Sequence, residues 1–348
     1  MQFLAKIRGK IILSFLFGLA VVAVLAIVGD LSKMLEVLGS FQWWLVVPIL
    51  LLTLMNYVLR FLKWHYYLKV VGNGAEQISR GDSAVVFVGG MSMAMTPGKI
   101  GEFLKSYLVN QLNGTPMMVT APIVVAERVS DGLAMLILAS LGVFFFENTF
   151  LRLVLLAILL AAVVLFVVVQ WRALALRLIG LLGRIPFLTS RATHLRNFYE
   201  SSYRLFSPRS TLLAVGLGLL GWSGECLAFF LVMLGLGFPP SLLLLVQCTF
   251  ILATSTLVGS VSMLPGGLGA ADSSIGGLLL VAVQGITSAT ASAATLLIRF
   301  CTLWFGVTLG LVTLFVFRKR FDGPAPHGQG QAEAGPPKST LDTAGSIR

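Results

Sequence analysis

Glu102, Glu127, Arg128, Asp131, Glu225, Asp272 and Arg299 lie inside long apolar stretches, with Lys99 and Lys105 beside a Thr-Pro-Gly break. Ionisable groups in such surroundings are costly, so they face a cavity, pair with each other or hold a charged ligand. Glu127 and Asp131, at i and i+4, put two carboxylates on one helical face, and Arg128, at i−3 to Asp131, can neutralise it. Two readings follow: an ion-pair network that holds helices together, or a site for a charged head group. The nearby backbone breaks favour the second, because helix ends attract ions.

Other residues carry narrower possibilities. Glu225 stands alone in Gly221-Trp222-Ser223-Gly224-Glu225-Cys226. It is either a proton-coupling site or a hydrogen-bonded neutral acid. Arg299, the cation of the final apolar run, needs an anion, and the candidates are Asp272, Glu225, Glu102 or a lipid phosphate. The run Arg60-Phe61-Leu62-Lys63-Trp64-His65-Tyr66-Tyr67 reads as an interfacial anchor of snorkelling cations and aromatic rings, or as a phosphate contact made by Arg60, Lys63 and Trp64.

The elements that must position these groups are helical spans. The chain of 348 residues is 57% hydrophobic and 11% charged, with mean hydropathy +0.93, whereas soluble domains carry about 25% charged residues. At about 20 apolar residues per span, six to eight spans fit, which excludes a large soluble catalytic domain; no enzyme activity is expected. Net charge +11 suggests nucleic acid only superficially. The basic residues lie between apolar runs, and the partner they imply is the anionic inner leaflet. Cys226, Cys248 and Cys301 lie inside apolar segments and form no disulfide framework. No metal-ligand spacing occurs, His65, His194 and His327 fall outside the spans, and no metal or cofactor is expected.

Clear spans are 11–28, 43–59, 117–146, 150–171, 211–236 and 287–317. The first, after Lys6, Arg8 and Lys10, fits a retained helix better than a cleaved signal. Two more apolar segments break in the middle: 83–95 and 103–112 around Thr96-Pro97-Gly98, and 241–263 and 270–283 around Leu264-Pro265-Gly266-Gly267. Proline ends the first helix of each and glycine permits the turn, so both are hairpins, re-entrant or full. Counting Lys and Arg orients the chain. Lys6, Arg8, Lys10, Arg60, Lys63, Lys69, Arg80, the arginines of the 172–210 linker, Arg318, Lys319, Arg320, Lys338 and Arg348 share one side. Lys33 and Arg152 lie opposite. The positive-inside rule then puts both termini in the cytoplasm of a cell (inner) membrane.

Both halves read span, span, hairpin, span. Residues 11–146 form repeat one and 150–317 repeat two, and three spans per half would invert the second. The breaks share Pro97-Gly98-Lys99-Ile100-Gly101 and Pro265-Gly266-Gly267-Leu268-Gly269. An inverted repeat whose broken segments meet is an architecture of alternating-access carriers. The expected fold is thus all-α and polytopic, one membrane domain over 1–321 with an amphipathic cytoplasmic linker at 172–210. The Pro- and Gly-rich tail, 322–348, should be disordered.

The stretches Leu59-Arg60-x-x-Lys63-Trp64, Thr96-Pro97-Gly98-Lys99-Ile100-Gly101-Glu102-x-x-Lys105, Glu127-Arg128-x-x-Asp131 and Leu264-Pro265-Gly266-Gly267-Leu268-Gly269, followed by Asp272 and Arg299, resemble the transmembrane, flippase-like domain family of lysylphosphatidylglycerol synthases over most of 10–318. Lys63 and Asp272 depart from it, standing where Arg and Glu are the family's residues, and lysine lacks bidentate phosphate geometry. No soluble aminoacyl-transfer domain follows, so the resemblance implies lipid translocation without synthesis. The expected function is carriage of a phospholipid or polyprenyl-phosphate-linked lipid between leaflets. The alternatives are a proton-coupled small-anion transporter and a non-transporting subunit of a lipid-modifying enzyme. Membrane lipids are the expected partners, with a second copy or a lipid-synthesis enzyme compatible, and nucleic acid excluded.

Overall fold

A computed structural model describes residues 31–96, 101–143 and 203–321, with scattered positions between 153 and 177. The spans expected at 11–28 and 150–171, Pro97 to Ile100, most of the linker and the tail lie outside the described residues. In chain order the helices are α1 (Leu31–Gly39), α2 (Val46–Val71), α3 (Arg80–Met91), α4 (Leu104–Asn113), α5 (Met117–Val143), α6 (Pro208–Gly235), α7 (Leu242–Val261), α8 (Ala270–Ala282) and α9 (Ser288–Val316). No strand occurs among the described residues.

Local chemistry sets the boundaries. Ser79, Ser241 and Thr287 start α3, α7 and α9 by accepting from the amides of Asp82, Leu244 and Thr290 at 3.0, 3.1 and 3.2 Å, which satisfies donors that a helix start leaves open. Pro208 opens α6 with a ring already shaped for a helix. Gly72 and Gly114, at φ +67° and +76°, end α2 and α4. The helix of the second span runs past the expected end near 59 to Val71, which brings Arg60, Lys63 and His65 onto it. α9 is helical throughout, but Phe300–Trp304 winds as a π-helix.

The helix containing α2, together with α6, α7 and α9, is long and apolar enough to cross a membrane. α5 matches them in length but carries Glu127, Arg128 and Asp131. Between its break and its start, α3 rises only about 18 Å at 1.5 Å per residue, too short to cross alone, whereas α7, its counterpart in the second half, has 20 residues. The chain is a multi-pass helical membrane protein.

The packing joins elements of the two halves. Counterparts α2 and α6 pack against each other and run antiparallel: Phe41, just before α2, meets Gly235, Asn56 meets Gly221 and Glu225, and Tyr66 meets Ser210. The other pairings are exchanged, as a two-fold relation demands, so that α3 packs on α9 and α5 on α7. Within these, Gly89 meets Leu314 while Ser92 meets Gly310, and Gly142 meets Phe250. The apolar cores follow the same exchange. Leu314 of α9 joins Trp64, Val86, Leu108 and Ile123 of the first half, and Met135 of α5 joins Phe229, Phe250 and Ile298 of the second.

Candidate functional site

The second break meets the residues that lead into the first. A Cβ on Gly266 would lie 3.5 Å from the Met95 Cα, and Met95, Leu268 and Val307 pack into one small apolar cluster. Each break is tied by its own local contacts. In the first, the Thr96 hydroxyl donates to the Met93 carbonyl at 2.8 Å and accepts the Gly101 amide at 2.7 Å, and the residues between them lie outside the described set. In the second, Gly266 and Gly267 adopt φ +61° and +67°, a region that disfavours every residue with a Cβ. The carboxylate of Asp272 accepts the Gly269 amide at 2.8 Å.

Around this meeting point lies a cavity of about 130 Å³. Arg60, Glu102, Lys105, Arg128, Glu225 and Arg299 line it, along with Tyr57, Trp222 and the second break at Gly266 and Gly267. Behind the lining stand more charges. Lys63 pairs with Asp131, and Lys105 with Glu127, all four side chains almost fully buried. Arg128 reaches Glu102 at 3.1 Å and Asp131 at 3.4 Å, and Arg60 stands 3.9 Å from Asp131. Arg299 pairs with Asp272 at 2.7 Å and donates to the Gly266 carbonyl at 2.9 Å.

The repeat organises these charges. In each half a carboxylate shortly after the break, Glu102 or Asp272, pairs with an arginine on the long helix that closes the half, Arg128 or Arg299. The same pairing thus appears once in each half, and both arginines line the same cavity. Four of the cavity-lining charges are cations and two are carboxylates. The carboxylates that pair with Lys105 and Arg299, Glu127 and Asp272, are not among the residues that line the cavity.

Of the candidates named from sequence, Glu102, Lys105, Glu127, Arg128, Asp131, Asp272 and Arg299 gather in this cluster with Glu225, while Lys99 with Pro97 and Gly98 lies outside the described residues. Arg299 takes Asp272 from its list of partners. Lys63 and Trp64 are fully buried, so the structure places them in the interior and not at the interface. The reason is that α2 continues through them, with Asp131 and Ser130 of α5 waiting on its inner face. Lys63 donates to Ser130 at 3.2 Å, and Trp64 lies under Lys105, 4.7 Å from ring centre to ammonium, a favourable cation–π contact. Arg60 likewise points inward, over the Trp222 ring at 5.9 Å. His65 belongs to α2 and meets Ser83 at 3.1 Å.

Sequence reading passed over Asn56, Tyr57 and Trp222. Asn56 donates to the Glu225 carboxylate. Tyr57 donates to the Thr302 carbonyl at 2.5 Å, inside the π-turn that follows Arg299, where the wider winding displaces carbonyls from the regular ladder. The signal for Asn56 was present, since an amide deep in an apolar run needs a buried partner.

A second hollow of about 270 Å³ adjoins the first. It runs between α5 and α7, lined by Phe103, Val124, Val125, Val129, Met135 and Leu257, and shares Arg128, Trp222 and Thr256 with the polar cavity. Val129 and Ser260 on its wall are exposed. The second hollow is thus a mostly apolar groove, with Asp131 also on its wall, that shares Arg128, Trp222 and Thr256 with the charged cavity.

The family model described as lysylphosphatidylglycerol synthase TM region matches residues 11–310. Two relatives from Methanothermobacter thermautotrophicus are each described as a UPF0104 membrane protein. One is 27% identical over 239 residues, covering 62% of this chain and 69% of the relative. The other is 26% identical over 322 residues, covering 86% and 91%. With breaks, paired arginines and flanking spans all inside the matched region, the chain belongs to the lysylphosphatidylglycerol synthase TM region family.

Proposed function

We propose that the protein is a carrier that moves an amphiphilic lipid, a phospholipid or a polyprenyl-phosphate-linked one, between the leaflets of a cell membrane, with both termini cytoplasmic. The observation that carries this reading is the shared wall of Arg128, Trp222 and Thr256 between the charged cavity and the apolar groove. A head group seated among Arg60, Arg128 and Arg299 would leave its chain in the groove between α5 and α7, close to the lipid phase. That spares the chain from water and the head group from hydrocarbon, which is the barrier a lipid meets when it crosses unaided. A carrier of a small water-soluble anion has no use for an apolar flank beside its site. The two-fold relation supplies the movement, because an inverted repeat can exchange the conformations of its halves and open the same site to either side.

The test is reconstitution into liposomes with fluorescent phospholipids and a polyprenyl phosphate, following the exposure of the label to a membrane-impermeant quencher. Protein-dependent movement of at least one of these supports the proposal. Rates equal to those of protein-free liposomes across the panel overturn it.

A further inference from the structure

Glu225 differs from every other acid in the cluster. Glu102, Glu127, Asp131 and Asp272 each lie within 3.4 Å of a lysine or arginine nitrogen. Glu225 has no cation within salt-bridge distance among the described residues, and its partner is the neutral amide of Asn56. A proton added to Glu127, Asp131 or Asp272 would take the carboxylate from Lys105, Lys63 or Arg299, and one added to Glu102 would remove a partner of Arg128. A proton added to Glu225 strands none, and Asn56 can remain a partner to either form, since an amide both donates and accepts. The position is also a central one: Asn56 and Glu225 join the counterpart helices α2 and α6 where the two repeats cross, and Glu225 lines the same cavity as Arg60, Arg128 and Arg299.

We propose that Glu225 is a proton-binding site coupled to the head-group cavity, so that the carrier moves one proton together with one anionic phospholipid. This rests on the carrier reading above and adds its energy source and the charge class of its cargo. The groups that face or surround Glu225 are Asn56, Tyr57 and Arg60 from α2, Asp131 and Arg128 from α5, Cys226 beside it on α6, and Arg299 from α9. Glu102 and Lys105 share the cavity, while α3, α7 and α8 line it with no charged side chain. Glu225 is one of the two carboxylates lining the cavity, so its protonation removes a repulsive charge from the place where a phosphodiester would sit. The coupling is reciprocal: a bound anionic head group favours the proton as much as the proton favours the head group. The loaded carrier then holds a proton and a monoanion whose charges cancel, and the empty one returns with neither.

The experiment uses the full chain in phosphatidylcholine liposomes carrying fluorescent phosphatidylglycerol, with protein-free liposomes as the control for unaided movement. Under a gradient of one pH unit, one-to-one coupling enriches the label in the leaflet facing the alkaline side by up to about tenfold, and fluorescent phosphatidylcholine shows no such bias. Glu225→Gln removes the bias. Independently of any variant, dicyclohexylcarbodiimide, which attacks protonated carboxyl groups in apolar surroundings, labels Glu225 in the wild-type protein, and added phosphatidylglycerol changes the labelling. Wild-type protein that moves the lipid but distributes it evenly under the gradient overturns the coupling and leaves lipid translocation standing. A bias that persists in Glu225→Gln, or wild-type Glu225 that takes up no label at any pH, overturns the assignment of the proton site. Wild-type protein that moves neither phospholipid overturns the coupling, and one that also leaves the polyprenyl phosphate unmoved overturns the carrier reading with it.

Discussion

Arg299 Nε lies 2.7 Å from Asp272 Oδ1, and the same guanidinium donates to the Gly266 carbonyl at 2.9 Å. One side chain of α9 thereby holds both the turn of the second break and the first turn of α8. Its counterpart Arg128 holds Glu102 at 3.1 Å behind the first break. Both breaks are thus fastened to the helix that ends their own half, and a ligand that takes hold of either arginine competes with that fastening.

Arg299→Met leaves Asp272 buried without its cation and should destabilise the protein by about 3 to 5 kcal/mol, read as a lower melting temperature in detergent. Arg299→Lys keeps the charge but loses the two-pronged grip on Asp272 and Gly266. It should retain most of the stability and lose most of the transport of a phosphate-bearing lipid. An equal loss of stability and transport in the lysine variant would restrict Arg299 to a structural role.

Asp131 neutralises Lys63 and meets Arg128 and Arg60 as well. Asp131→Asn should therefore cost about 3 to 5 kcal/mol by stranding Lys63, and Lys63→Met in the same chain should recover much of it, since an uncharged pair is tolerated where a lone buried charge is not. Thermal unfolding of the two single variants and the double variant measures the coupling. Strict additivity would mean that the pair does not interact in the folded protein.

At the crossing of α2 and α6, a Cβ on Gly221 would come 2.5 Å from the Asn56 side-chain oxygen. Gly221→Val should force the helices apart and break the Asn56–Glu225 contact. The expected outcome is a sharp loss of folded protein by size-exclusion chromatography. Gly216, where the added Cβ meets nothing within 4 Å, is the matching control, and Gly216→Ala should behave as wild type.

Thr256 lines both the charged cavity and the apolar groove. Thr256→Trp should plug their junction and lower lipid movement at least tenfold while the melting temperature changes little, because the ring fills open space. Unchanged transport in a folded Thr256→Trp protein would show that lipid chains do not take this route.

Much of the architecture was legible in the sequence because it is encoded locally. The low charge content and apolar runs specify membrane helices, Pro-Gly pairs stop them, and the helices bounded by 241–263, 270–283 and 211–236 end within a few residues of those limits. Pairing was another matter. Arg299 had three candidate carboxylates in the sequence besides a lipid phosphate, and only the folding of α8 against α9 selects Asp272. Lys63 and Trp64 sit where hydropathy falls, which reads as the end of a span. Their burial depends on α5 bringing Asp131, Glu127 and Ser130 alongside, from a segment more than sixty residues away. Hydropathy weighs a side chain by itself, whereas the cost of burying a charge depends on the partner that meets it. Which charges pair, and which acid is left to face the cavity with only an amide, was decided by the tertiary structure.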